Sequence, residues 1–464
     1  MGGPAFDAQV LARVPLADAV LSLMRYVLEP AALTDLYDRQ RGRSYERVLT
    51  FTELVDLVGA CLLGPARSGR AGLLEADERE QLPVTPSAFY QKLGRVPAEV
   101  SAALLREGTA RLREALPDDF GDLPPGLADF AVTVLDGKVV KHVPRRLRPL
   151  RYDRRTAQRL LGGRALVATD LRTGLALTFH PHPDGECNEV RLVPDLLAAW
   201  PGGPRRPLYV GDRAFGTVAQ AERFGERGEF LLRLHGQTLF LADAAVPPRA
   251  GRDRFGRAFR EDWGWIGRRR GGGRLPVRRL TLEMGRGRLV LITSLRDADR
   301  YPAGDLLEAY SRRWGIENVF QEVTSVFQLC RLIGTTPRAT LFQLAFCLLV
   351  YNVIRVVKHY VARAGQVTVD EVSSEMLFRD VRDQLAAVSQ LIAPGRVADL
   401  VPAASGGAAL RYHLRQRLAT CWRPKWRKAN YRPRDPTRPP RPQPAKLKQQ
   451  RPHDSVHRIL QREP

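Results

Sequence analysis

Apolar side chains recur at every third or fourth position through Leu306, Leu307, Tyr310, Trp314, Phe320, Val323 and Phe327, the spacing of one long amphipathic helix with a buried stripe. Gly304-Asp305 stands at its start. Four apart on such a helix, Arg313 and Glu317 share a face and present a cation beside a carboxylate. The same spacing predicts helices over residues 17–28, 51–63, 87–93 and 97–116. From residue 131 the pattern shifts to apolar runs. AVTVLDGKVVKHV is a β-rich run with Asp136 and Gly137 at its centre, and RALVATDLRTGLALTFHPH reads as two strands joined by a turn near residues 172–174. A helix over about 189–199 follows, then the short strand of RPLYVGDRAFG ending in Asp212, a helix over 219–227 and the strand EFLLRLHG. Strands alternating with helices in this order predict a mixed sheet with helical cover, of the α/β class.

Residues 238–298 read as a β insertion, with strands at 238–242, 278–283 and 288–293 and the stretch GRRRGGGR between the first two. TLFQLAFCLLVYNVIRVVKHYVA, within 337–362, is too long for a strand and predicts a buried helix behind the core. The expected layout is a helical domain over 1–120, an α/β domain over 130–362, a helical region over 363–422 and a basic, proline-rich tail over 423–464. That tail holds 13 Lys and Arg against 3 Asp and Glu, a net +10, and is expected to be disordered.

Composition adds a partner class. A chain of 464 residues with 44% hydrophobic residues can bury sizeable cores, and 73 Lys and Arg against 50 Asp and Glu leave a net charge of +23. Such a balance favours a polyanion, although arginine-rich composition can also reflect a GC-rich genome. The five cysteines are scattered without a CxxC pair, which argues against a zinc ribbon or a disulfide framework and fits a reducing cytoplasm. No basic stretch followed by an apolar core opens the chain, and the longest apolar run is broken by Gln343, Asn352 and Arg355. Neither a secretory signal nor a membrane span is expected.

Three carboxylates stand out by position: Asp136 inside the first strand, Asp212 at the end of the fourth, and Glu317 on the helix after the insertion. Each has a structural alternative, since Asp before Gly favours turns, Asp212 can cap the next helix and Glu317 can pair with Arg313. Together they match a set that holds two divalent metals, in which hard cations activate a hydroxyl and stabilise the leaving oxygen of a phosphodiester. Asp153 and Asp170 are rivals to Asp136, but both sit at strand ends beside arginines. HPHPDGEC, with His180, His182, Asp184, Glu186 and Cys187, lacks paired zinc spacing and reads as a turn. In the helical region, residues 87–116 form a short helix, a turn and a longer helix, either a helix-turn-helix DNA reader using Lys92 and Arg95 or a packing unit.

The DG of LDGKVV, the DRAFG of VGDRAFG and the trio Tyr310, Arg313 and Glu317 resemble the DDE transposases of the insertion-sequence 4 family. That family has a ribonuclease-H-like catalytic domain. Its helix signature is Y, two residues, R, three residues, E, six residues, K; the lysine position is Thr324 here. The resemblance spans about residues 130–360. It implies a DNA transposase that cleaves and transfers strands at the ends of an insertion element. Asp136, Asp212 and Glu317 would bind two Mg²⁺ ions, with Mn²⁺ able to substitute. Tyr310 and Arg313 would grip the DNA backbone, and Trp314 would either stack on a displaced base or pack in the core. The implied partners are double-stranded DNA, as terminal inverted repeats and target, and a second copy of the chain in a synaptic complex, with cytoplasmic, nucleoid-associated localisation in a prokaryote. The departure at Thr324 keeps a second reading open: a catalytically inactive, transposase-derived DNA-binding protein.

Overall fold

Seven helices precede the first strand in the computed structural model, which describes residues 4–44, 46–63, 69–78, 82–117, 119–141, 160–199, 204–267, 274–285, 287–326, 334, 336–392, 394–401, 404–429 and 454–462. They are α1 Pro4–Arg13, α2 Pro15–Val27, α3 Pro30–Gln40, α4 Phe51–Leu63, α5 Gly69–Glu78, α6 Pro86–Arg95 and α7 Ala98–Glu114. Proline at the first turn starts α2, α3 and α6, where its missing N–H costs nothing. Thr85 also caps α6 by accepting a hydrogen bond from the Ala88 N–H. In the pair α6 and α7, Leu104, Leu105 and Leu112 of α7 are buried; Lys92 Nζ lies 3.4 Å from Glu46 and over the Tyr37 ring, while Arg95 is exposed.

The α/β region follows the expected order. β1 Phe130–Lys141, β2 Leu160–Asp170, β3 Ala176–His182, α8 Val193–Ala199, β4 Arg206–Gly211, α9 Val218–Gly225 and β5 Glu229–Arg233 lay down a sheet ordered β3-β2-β1-β4-β5. β1 is parallel to β4 and β4 to β5, whereas β2 runs antiparallel to β1 and β3. This is the mixed sheet expected of the ribonuclease-H-like class. Gly174, at φ +68°, makes the β2–β3 turn, a conformation that L side chains resist.

The insertion extends that sheet rather than forming a separate one. β6 Leu239–Ala242, β7 Arg249–Arg252, β8 Ala258–Gly267, β9 Leu275–Met284 and β10 Gly287–Thr293 continue it in the order β5-β10-β9-β8-β6, with β7 also on β8. Residues 268–273 of the Gly/Arg-rich stretch lie outside the described residues.

After β10 the expected single helix is two: α10 Ala303–Arg312 and α11 Gly315–Gln321, followed by a π-helical turn at Glu322–Val326. At the junction Arg313 N bonds Tyr310 O, Ile316 N bonds Arg313 O and Glu317 N bonds Trp314 O, all three-residue closures. The tightened turn swings Trp314 off the apolar stripe and leaves it 41% exposed, so it is not the core residue its spacing predicts. Phe327 lies outside the described residues.

α12 Pro337–Ala364 is the expected buried helix. It is long and apolar enough to cross a membrane, but 94% of its most apolar window is buried within the protein. Its Asn352 accepts from Ala176 N and donates to Ala176 O and Thr109 Oγ1, at 2.8–2.9 Å, tying α12, β3 and α7 together. With donors and acceptor satisfied, this buried amide specifies register. One apolar core runs from the N-terminal helices through α12 to the sheet.

α13 Ser374–Leu391, α14 Pro394–Leu400 and α15 Gly407–Leu418 follow. The tail expected to be disordered from residue 423 is docked at both ends. Trp426 is fully buried, with its indole N–H on Asp380 at 3.0 Å. β11 Asp454–Ser455 pairs in parallel with the start of β2, and α16 Val456–Arg462 begins on a fully buried valine. Single apolar anchors outweigh the basic, proline-rich composition at these two places. Residues 430–453 lie outside the described residues.

Candidate active site

Alternation along β1 puts Val132, Val134, Asp136, Lys138 and Val140 on one face. The valines belong to the main core, beneath α10, α11 and α12, so Asp136 and Lys138 are charged positions on an otherwise apolar face. Leu135 is paired with Gly211 across the parallel β1–β4 ladder, and Asp212 is the next residue on that side. The two aspartates therefore emerge beside each other where β4 ends. Asp212 also does what its structural alternative requires: Oδ1 accepts from the Ala214 N–H at 2.8 Å and caps a short 3₁₀ turn. Asp136 is not in a turn, and its Oδ1 accepts from the Gly137 N–H at 2.9 Å.

Burial pushes the Asp136 carboxyl up to about 7; Arg313 opposes this, while Asp212 and Glu189 add to it. Glu189 is a carboxylate that sequence reasoning did not single out. It reaches β1 from the other face, at a glycine: a Cβ on Gly137 would stand 1.8 Å from Glu189 Oε2. Glycine beside Asp136 thus permits a close approach, which a reader of DG as a turn signal misses. Burial also raises the Glu189 carboxyl, with Asp212 contributing and Arg164, at 3.4 Å, opposing.

Glu317 joins the group through Arg313. The carboxylate of Glu317 lies 3.7 Å from the guanidinium, and its side chain is 44% exposed, against 7% for Arg313. The Arg313 guanidinium stands 5.5 Å from the Tyr310 ring and 5.4 Å from the Trp314 ring. Its Nε is buried and has no hydrogen-bond partner among the described residues. Tyr310 is buried rather than surface-facing, and burial raises its phenol despite the Arg313 and Arg233 charges. Asp136, Asp212, Tyr310 and Arg313 are thus gathered, with Trp314 at the rim and Glu317 held on the arginine. Among the described residues no three His, Cys, Asp or Glu side chains form a closed metal cage.

The donor set nevertheless suits a hard divalent cation. Asp136 and Asp212 offer only carboxylate oxygens, and the repulsion between them at a half-buried position is what a dication relieves. HPHPDGEC is a turn only in part: His180 and His182 lie on β3 and the chain turns after them, with Asp184 N on His182 Nδ1 at 3.2 Å. Asp170 binds the β2–β3 turn through Thr173 Oγ1 at 2.7 Å, away from this group. Asp153 lies outside the described residues.

The group falls inside a match to known proteins. Residues 128–353 match the family described as Transposase DDE domain. Over 67 residues the chain is 37% identical to transposase InsG for insertion sequence element IS4 of Escherichia coli (strain K12). That stretch is 14% of this chain and 15% of that protein's length. The cryo-EM structure of the piggyBac transposase synaptic complex with hairpin DNA is similar at a TM-score of 0.35 and 12% identity, over 87% of this chain and 78% of that one. A likeness that slight carries no weight.

Proposed function

We propose, for a chain whose residues 128–353 match the transposase DDE domain family, that it cleaves and transfers DNA strands at the ends of a mobile insertion element. The observation that carries this reading is the emergence of Asp136 and Asp212 side by side, from parallel strands paired at Leu135 and Gly211, with Arg313 as countercharge.

In this reading Asp136 and Asp212 hold divalent cations, Mg²⁺ by preference, and Glu317 completes the set by leaving Arg313. Bound there, such cations would supply Lewis-acid activation of a hydroxyl and charge stabilisation at the departing oxygen of a phosphodiester. Arg313 balances the carboxylates in their absence, and once Glu317 leaves, the guanidinium nitrogen that faced it is available to phosphate oxygens. Tyr310 packs against the guanidinium and fixes its plane. Trp314, exposed at the rim, offers a ring on which an unpaired base can stack. Double-stranded DNA is the substrate, drawn by the net charge of +23, and two copies of the chain act together when two element ends are joined.

The test is cleavage of a duplex carrying the inverted repeat that flanks the coding sequence, with Mg²⁺. Asp136→Asn, Asp212→Asn and Glu317→Gln should each abolish cutting and leave duplex binding intact. Full cleavage by any of the three would overturn the assignment. Thr324, in place of the signature lysine, favours the second reading, a transposase-derived protein that binds DNA without cutting it; a wild-type chain that binds the repeat but never nicks it would establish that instead.

A further inference from the structure

We propose that Lys138 is a DNA-phosphate contact of the cleavage site, delivering from β1 the positive charge that position 324 lacks. This rests on the reading of the chain as a strand-cleaving enzyme. Lys138 lies two residues after Asp136, so both side chains leave the same face of the strand. Its Nζ donates to Thr324 Oγ1 at 2.9 Å and to the Phe320 carbonyl at 3.5 Å, and it stands 5.3 Å from the Phe320 ring centroid. The Thr324 hydroxyl donates its own proton to the Phe320 carbonyl at 2.7 Å, which leaves its lone pairs for the ammonium. A lysine at position 324 would have brought its charge from the helix; the threonine receives that charge from the strand instead.

Two further features point to a ligand rather than to packing. The partners of Lys138 are all neutral: a hydroxyl, a carbonyl and a ring. No carboxylate pairs with it among the described residues. With two of its donors on Thr324 Oγ1 and the Phe320 carbonyl, an ammonium held this way on the face of Asp136 has a third donor for an incoming anion. Thr324 itself sits in the π-helical turn Glu322–Val326, a wide turn of the kind concentrated at functional positions. The anion that fits is a phosphate of the strand lying across Asp136, since a lysine serves a phosphate as a point charge without demanding fork geometry.

The experiment uses the full chain. Binding of a labelled random-sequence duplex is measured across a salt series, and Mg²⁺-dependent cleavage is measured on the duplex with the flanking repeat. Lys138→Gln should lower the salt slope by about one unit and slow cleavage about ten-fold, while Lys138→Arg keeps both near wild type. The exchange Lys138→Thr with Thr324→Lys should restore what Lys138→Thr alone loses, an outcome that a purely structural lysine would not produce. Lys138→Gln with a wild-type melting temperature and unchanged slope would overturn the proposal. So would a folded exchange variant no better than Lys138→Thr alone. A wild-type chain that cuts nothing would instead remove the enzymatic reading, and the salt slope would still decide whether Lys138 meets phosphate.

Discussion

Arg313 and Glu317 face each other at 3.7 Å across the break between α10 and α11, the arginine buried and the glutamate half open to solvent. The same guanidinium opposes the charge of Asp136, so one cation serves carboxylates that a metal ion would otherwise bind. Removing it should have opposite effects on two measurements. Arg313→Met should tighten Mg²⁺ binding in calorimetry, because a competitor for the carboxylates is gone, yet slow cleavage by roughly 100-fold for want of a phosphate donor. Arg313→Lys should not rescue, since an ammonium lacks the planar fork. Unchanged Mg²⁺ affinity in Arg313→Met would reduce the pair to a surface salt bridge.

Asp136 is a stability cost kept in place at the site. It is half-buried on an apolar strand face and repelled by Asp212 and Glu189. Asp136→Asn keeps the shape and removes the charge, so in metal-free buffer its melting temperature should rise by about 1–3 °C. The wild type should melt higher when Mg²⁺ is added, and the variant should not. A lower melting temperature for Asp136→Asn without metal would mean that Asp136 is a structural residue.

Strands β1 to β5 were legible as apolar runs separated by turn residues, and α12 because no strand is that long; β7 and β8 of the insertion were not, because RAGR and AFREDWGWIG carry charges and glycines where an apolar run would be expected. The junction at Arg313 was not, because three-residue closures leave the three-to-four apolar spacing almost unaltered while turning one side chain out. Trp314 is that side chain. Asp136 and Asp212 could be picked out by their places on strands, whereas Glu189 approaches through space at a glycine and leaves no local pattern. Lys138 stood in plain view within LDGKVV, but its contact with Thr324 bridges two distant elements and depends on how α11 lies on β1. Short proline-started helices such as α3 have too few turns for a period to register.

Acid should weaken the joint between the chain's two ends. Asp18 of α2 is buried and bonded to His413 at 3.2 Å and to Arg417, both on α15. Burial alone would raise its carboxyl, but the hydrogen bonds and charges of His413 and Arg417 outweigh it and hold the group below its ordinary 3.8. A folded value below the unfolded one means that the unfolded chain binds the proton first. The stabilisation is therefore complete above the unfolded value and is lost as pH falls through the folded one. Asp18→Asn should cost about 2–3 kcal/mol in urea unfolding near neutral pH and flatten the acid limb of the stability profile. An unchanged acid limb would place the acid sensitivity elsewhere.

The basic end of the chain should divide by function into anchors and a charge reservoir. Trp426 is fully enclosed, its indole N–H on Asp380 at 3.0 Å, and Lys425 and Arg423 reach the same carboxylate at 2.7 and 3.1 Å. The Ser373 N–H also donates to the Trp426 carbonyl at 2.7 Å, so this segment closes the start of α13. Trp426→Ala should then cost about 3–5 kcal/mol, the range for emptying a buried aromatic site. Residues 430–453 contribute 7 Lys and Arg against 1 Asp, a net +6, between that anchor and the docked β11. Replacing them with a neutral linker of equal length should keep the melting temperature and lower the salt slope of duplex binding, as counterion release falls with each lost phosphate contact. Truncation before Arg423 should lower both, because it removes Trp426 as well as the charge. If the neutral linker left the salt slope unchanged, the charge of this stretch would have no part in holding DNA; if truncation left the melting temperature unchanged, Trp426 would be filling a pocket the fold does not need.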